Sequence, residues 1–99
     1  MSWAKHAREA LARGESVTIR PKGNSMEGKV SSGDAVTLEP VGTRKLKKGD
    51  VVLARVRKRD YLHQVLAIQG ARYLIGNNRG GVNGWTRGCN VFGIAVKIE

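Results

Sequence analysis

The stretch Lys48-Gly49-Asp50-Val51-Val52-Leu53-Ala54-Arg55-Val56-Arg57-Lys58-Arg59-Asp60-Tyr61-Leu62-His63-Gln64-Val65-Leu66-Ala67-Ile68 decides the fold. Its first half is a run rich in valine entered through a Gly-Asp pair, and its second half is a comparable apolar run. Between them Lys58-Arg59-Asp60 is wholly polar. Short apolar, β-branched runs bounded by glycine and charge are strands, and two of them around a polar tripeptide make an antiparallel hairpin. The sequence predicts strand 51–57, turn 58–60 and return strand 61–68.

The same grammar extends in both directions. Upstream, Ser32-Gly33-Asp34 introduces a strand over 35–39 by a second Gly-Asp entry, and Ser16-Val17-Thr18-Ile19-Arg20 alternates with period two before Pro21. Downstream, Gln69-Gly70 turns the chain into a strand over 71–75, and Val91-Phe92-Gly93-Ile94-Ala95-Val96-Lys97-Ile98 closes it. The stretch 76–88 is rich in Gly and Asn and reads as loop. At the start, Trp3, Ala7, Ala10 and Leu11 recur at helical spacing, with Lys5, Arg8, Glu9 and Arg13 between them. Ser2 stands where an N-cap belongs and Gly14 where a C-terminal cap belongs. The expected architecture is mainly β: a small antiparallel domain over 16–98 with one short N-terminal helix over 1–15, in a single domain, 1–99.

Composition agrees. Ninety-nine residues leave room for one core, and 40% hydrophobic with 26% charged residues is the balance of a folded chain. Thirteen glycines against two prolines suit many tight turns between short strands. A single cysteine, Cys89, excludes an internal disulfide and a cysteine-rich metal site, and no metal or cofactor framework is visible. That cysteine usage, with no long apolar segment and no signal-peptide pattern, gives the expectation of a soluble, cytoplasmic chain without a membrane span.

Eighteen Lys and Arg against eight Asp and Glu leave a net charge of +10, a field that attracts nucleic acid, anionic membrane or an acidic protein. Two clusters stand out: Arg44, Lys45, Lys47 and Lys48 in one loop, and Arg55, Arg57 and Arg59, which period two places on one strand face. A solvated basic surface is the ordinary meaning of such clusters. Neither a helix-turn-helix nor an aromatic RNA-binding pattern nor zinc ligands accompany them. Cys89 reads as a small buried or loop residue and His6 as a helix-surface residue.

Ser25 lies in Gly23-Asn24-Ser25-Met26, a turn that can expose a hydroxyl while aiming backbone N–H groups at the same point. By itself such a serine is ordinarily a local hydrogen-bonder. The wider pattern adds to it: Ser32-Gly33-Asp34, the run 48–56, Leu62-His63-Gln64-Val65, Gly76-Asn77-Asn78 and Val91-Phe92-Gly93-Ile94-Ala95-Val96 follow in an order and spacing that resemble the serine peptidase clan uniting LexA-type repressors with signal peptidases. The resemblance covers about 16–98 and implies a coiled antiparallel β fold. It further implies Ser25 as nucleophile, with the backbone N–H groups of Ser25 and Met26 as the oxyanion hole.

Where the family carries its lysine base, this chain has His63, as in the Ser/His branch of the signal peptidases. The exchange is chemically sound. A lysine must be driven from about 10.4 toward neutrality, on the order of 4–5 kcal/mol, whereas imidazole starts near 6.5. Asn77 stands where the family has an acidic residue and is the candidate to orient His63; Asp60 lies three residues away but on the expected turn. The resemblance implies a protein or peptide substrate and no cofactor. Fifteen residues before the β region are too few for the repressors' DNA-binding domain, and no Ala-Gly or Cys-Gly cleavage dipeptide is present. Cleavage in trans is therefore the expectation. The alternative is a catalytically silent binding module of the same fold, using its basic face to hold an acidic protein or a nucleic acid, and a homodimer is a candidate assembly.

Overall fold

The structure is a computed structural model and describes residues 3–21, 26 and 28–99. Helix α1 (Trp3–Ala12) leads into seven strands: β1 (Val17–Ile19), β2 (Val36–Pro40), β3 (Val51–Val56), β4 (Arg59–Gln69), β5 (Arg72–Gly76), β6 (Val82–Arg87) and, after a 3₁₀ turn (Gly88–Asn90), β7 (Val91–Ile98). They form one antiparallel sheet in the order β1-β2-β7-β3-β4-β5-β6. The fold is thus mostly antiparallel β with one short N-terminal helix.

The helix stops where its sequence says it should. Gly14 adopts φ +81°, and the amides of Gly14 and Glu15 reach back to the carbonyls of Leu11 and Ala10 at 3.0 Å each. This is a Schellman closure, which needs a left-handed residue and favours glycine. The buried face is Ala4, Ala7, Ala10 and Leu11, whereas Trp3, expected on that face, is exposed. Small residues there let the helix lie close on the sheet. Arg8 fastens it, with its guanidinium over the Phe92 ring at 5.5 Å and its Nε 3.1 Å from Asp60 Oδ2.

Strand β3 is buried on both faces, which is why it reads as an unbroken apolar run. Val51 and Leu53 join Ala4, Ala7, Leu11, Met26, Val36, Leu38 and Leu62 in one cluster. Val52, Ala54 and Val56 join Leu46, Val65, Ile75 and Val91 in a second. The second cluster exists because the sheet coils. The β4–β5 register shifts between Val65 and Ala67, the β5–β6 register shifts between Ile75 and Gly76, and Thr86 Oγ1 of β6 donates to the Arg55 carbonyl of β3 at 2.8 Å. Bulges that bend a strand turn a flat sheet into a fold-over layer.

Two expectations need correction. The β3–β4 turn is Arg57-Lys58, with φ +51° and +70°, rather than 58–60. Two successive positive φ values make the primed turn whose twist matches a two-residue hairpin, so Arg55, Arg57 and Arg59 do not share a strand face. Within 76–88, read as loop, Val82–Arg87 is a strand, because pairing along β5 overrides the turn-rich composition.

Candidate active site

Ser25 and the Gly23-Asn24 before it lie outside the described residues, as does Ser2. Met26 is described: its side chain is 4% exposed in the first cluster, and its carbonyl accepts from the amides of Lys29 at 2.9 Å and Val30 at 2.7 Å. Met26 and Lys29 are tied to the two residues that flank His63 in β4. Leu62 shares the cluster of Met26, and Lys29 Nζ donates to Gln64 Oε1 at 2.7 Å and to the Gly49 carbonyl at 2.9 Å. Gln64 in turn donates through Nε2 to Asn78 Oδ1 at 2.9 Å and to the Asn77 carbonyl at 3.2 Å.

His63 stands opposite Val52 in the β3–β4 ladder, so its ring lies on the face of the second cluster, and the residue is only 9% exposed. Tyr61, two residues along the same strand, stacks on it with centroids 5.2 Å apart and planes at 24°. Nδ1 lies 2.6 Å from Asn83 Oδ1 of β6. An amide oxygen only accepts, so Nδ1 carries the proton in the neutral ring and Nε2 holds the lone pair. Burial lowers the pKa of His63 below its ordinary 6.5, and the Asn83 hydrogen bond opposes that shift without cancelling it. The ring is accordingly neutral at pH 7.

Asn83, and not Asn77 as expected, is therefore the asparagine hydrogen-bonded to His63. Asn77 Oδ1 accepts from the amides of Arg79 and Gly81 at 2.8 Å each, holding its own turn together. The side chain is committed there, as asparagine in a tight turn ordinarily is. Sequence reading passed over Asn83 because Gly81-Val82-Asn83-Gly84 looks like loop. Asp60 lies within β4 and receives Arg8 and Arg55, the latter through Nε at 3.0 Å.

The basic residues do not form the single face expected of them. Arg44 pairs with Glu39 and donates to the Pro40 carbonyl at 2.9 Å, and Arg55 is held by Asp60. Lys45, Lys47 and Lys48 are exposed around the buried Leu46, Arg57 sits in the hairpin turn, and Arg59 opens β4. His6 and Cys89 are exposed. Among the described residues no group of three His, Cys, Asp or Glu side chains is placed to hold a metal, and no helix is long and apolar enough to cross a membrane.

A family model described as Peptidase S24-like matches residues 4–93. No curated protein matches the chain.

Proposed function

The chain belongs to the Peptidase S24-like family, and we propose that it is a serine endopeptidase that cleaves a protein or peptide in trans with Ser25 as nucleophile and His63 as general base. The observation that carries the reading is the state of His63: buried, its pKa lowered by burial, with Nδ1 hydrogen-bonded to Asn83 Oδ1, which puts the lone pair of the neutral ring on Nε2.

In this reading Nε2 of His63 takes the Ser25 hydroxyl proton as the oxygen attacks the peptide carbonyl. The backbone N–H groups of Ser25 and Met26 receive the oxyanion. His63 then returns the proton to the departing amine, and water, activated by the same nitrogen, hydrolyses the acyl-enzyme. Asn83 plays the part of the third group, orienting the ring without supplying a charge.

Incubation with a library of unstructured peptides, read by mass spectrometry of new termini, tests the proposal. Wild-type protein is expected to cut. Ser25→Ala and His63→Ala are each expected to abolish cutting while leaving the fold intact by circular dichroism. Cleavage that survives Ser25→Ala overturns the assignment, and a wild-type chain that binds peptides without cutting any of them is a silent module of the same fold.

A further inference from the structure

A cleft of about 470 Å³ opens between the β3–β4 turn and the β5–β6 edge, lined by Arg57, Arg72, Trp85, Arg87 and Asn90 among others. Its volume falls in the range of roughly 300–1,000 Å³ usual for ligand sites. Arg72 and Arg87 face each other directly across the β5–β6 ladder, and Arg57 of the β3–β4 turn lines the same cleft. Like charges directly opposite on paired strands are destabilising. Arg8, Arg13, Arg44 and Arg55 are paired to carboxylates, and among the described residues the cleft arginines are not. Among the described residues no side-chain hydrogen bond, ion pair or ring contact involves Arg57, Arg72, Arg87 or Trp85.

Three guanidinium groups without carboxylate partners around an exposed indole match a ligand with several anionic oxygens and a flat π face. We propose that this cleft binds single-stranded nucleic acid, with phosphates on Arg57, Arg72 and Arg87 and an unpaired base stacked on Trp85. An acidic peptide would answer the charge and leave the indole face without a partner, and a duplex keeps its bases stacked inside. The register creates the site: Trp85 stands opposite Leu74, two residues along from the Arg72–Arg87 pair and on its face of the sheet. The net charge of +10 draws the polyanion in, and the cleft fixes where it sits.

Fluorescence anisotropy with a labelled oligothymidylate tests this over a range of salt. Replacing the three arginines together (Arg57→Ser, Arg72→Ser, Arg87→Ser) is expected to weaken binding at least tenfold and to reduce the slope of log K against log salt by about 2, three phosphates at about 0.7 each. Trp85→Ala is expected to weaken it by about 5- to 150-fold, with Trp85→Phe retaining most of the affinity. A charge-matched control, Lys45→Ser with Lys47→Ser and Lys48→Ser, is expected to stay within about threefold of wild type if the cleft is the site. The proposal is overturned if the lysine control loses as much as the arginine triple, if Trp85→Ala binds like wild type, or if poly-glutamate displaces the oligonucleotide at equal or lower charge concentration. The last outcome would assign the cleft to an acidic protein instead. All these positions are exposed, so the variants keep the core intact.

Discussion

His63 Nδ1 and Asn83 Oδ1 lie 2.6 Å apart although their strands, β4 and β6, are not neighbours in the sheet. Strand β5 runs between them, and only the coiling that brings β6 back over β3 lets the two side chains meet. The contact fixes the tautomer of the neutral ring and so which nitrogen carries the lone pair.

Asn83→Ala is expected to lower kcat about 10- to 100-fold with a smaller change in KM, because a ring free to turn misplaces its lone pair. Asn83→Asp is the sharper test. A carboxylate beside Nδ1 stabilises the imidazolium, so the acid limb of the pH–rate profile is expected to move alkaline while substantial activity remains. An unchanged profile in Asn83→Asp would show that Asn83 does not govern His63.

The same burial makes stability depend on pH. The folded-state pKa of His63 lies below its ordinary 6.5, so the unfolded chain binds the proton more readily than the folded one. This contribution to stability is fully present above about 6.5 and is lost as pH falls through the folded-state value. Urea midpoints are expected to drop on acidification below about pH 6.5, and His63→Gln should flatten that part of the curve. The activity profile follows the same sign, rising with pH to a plateau whose inflection lies below 6.5, since only the neutral ring accepts a proton.

Gly76 ends β5 against the fold-over loop. A methyl there would collide with Leu66 Cδ1 and lie 2.5 Å from the Gly81 carbonyl oxygen. Leu66 can swing away, but the backbone oxygen cannot, so Gly76→Ala is expected to destabilise by about 1–3 kcal/mol in chemical denaturation. A midpoint equal to wild type would mean that the 76–81 loop yields at no expense.

Asp60 joins three elements, with Arg8 from α1 and Arg55 from β3 converging on its carboxylate. The aspartate side chain is 12% exposed, while the arginines are 25% and 38% exposed, so solvent screens part of the attraction. Asp60→Asn is expected to lower stability by about 1 kcal/mol, less than the roughly 1.5–3 kcal/mol of a hydrogen bond to a charged group because solvent screens the pair. A double-mutant cycle with Arg8→Ala should show coupling; strict additivity would mean that the helix is held by packing alone.

Sequence by itself determined the helix with its Gly14 stop, the β3–β4 hairpin, the closing strand and the candidate base, because each is written in adjacent residues: a periodicity, a cap, a Gly-Asp entry, a histidine in a strand. The primed turn at Arg57-Lys58 escaped it, since nothing in two basic residues announces positive φ. Strand β6 escaped it as well, because Gly and Asn are poor strand formers and only the ladder along β5 holds them extended. Tertiary structure alone decided which asparagine is hydrogen-bonded to His63, Asn83 rather than Asn77, and which arginines share a cleft. Both depend on the register between strands and on the coiling of the sheet. Coiling is set by bulges at Val65/Ala67 and Ile75/Gly76, whose bends are small locally and carry whole strands across the molecule.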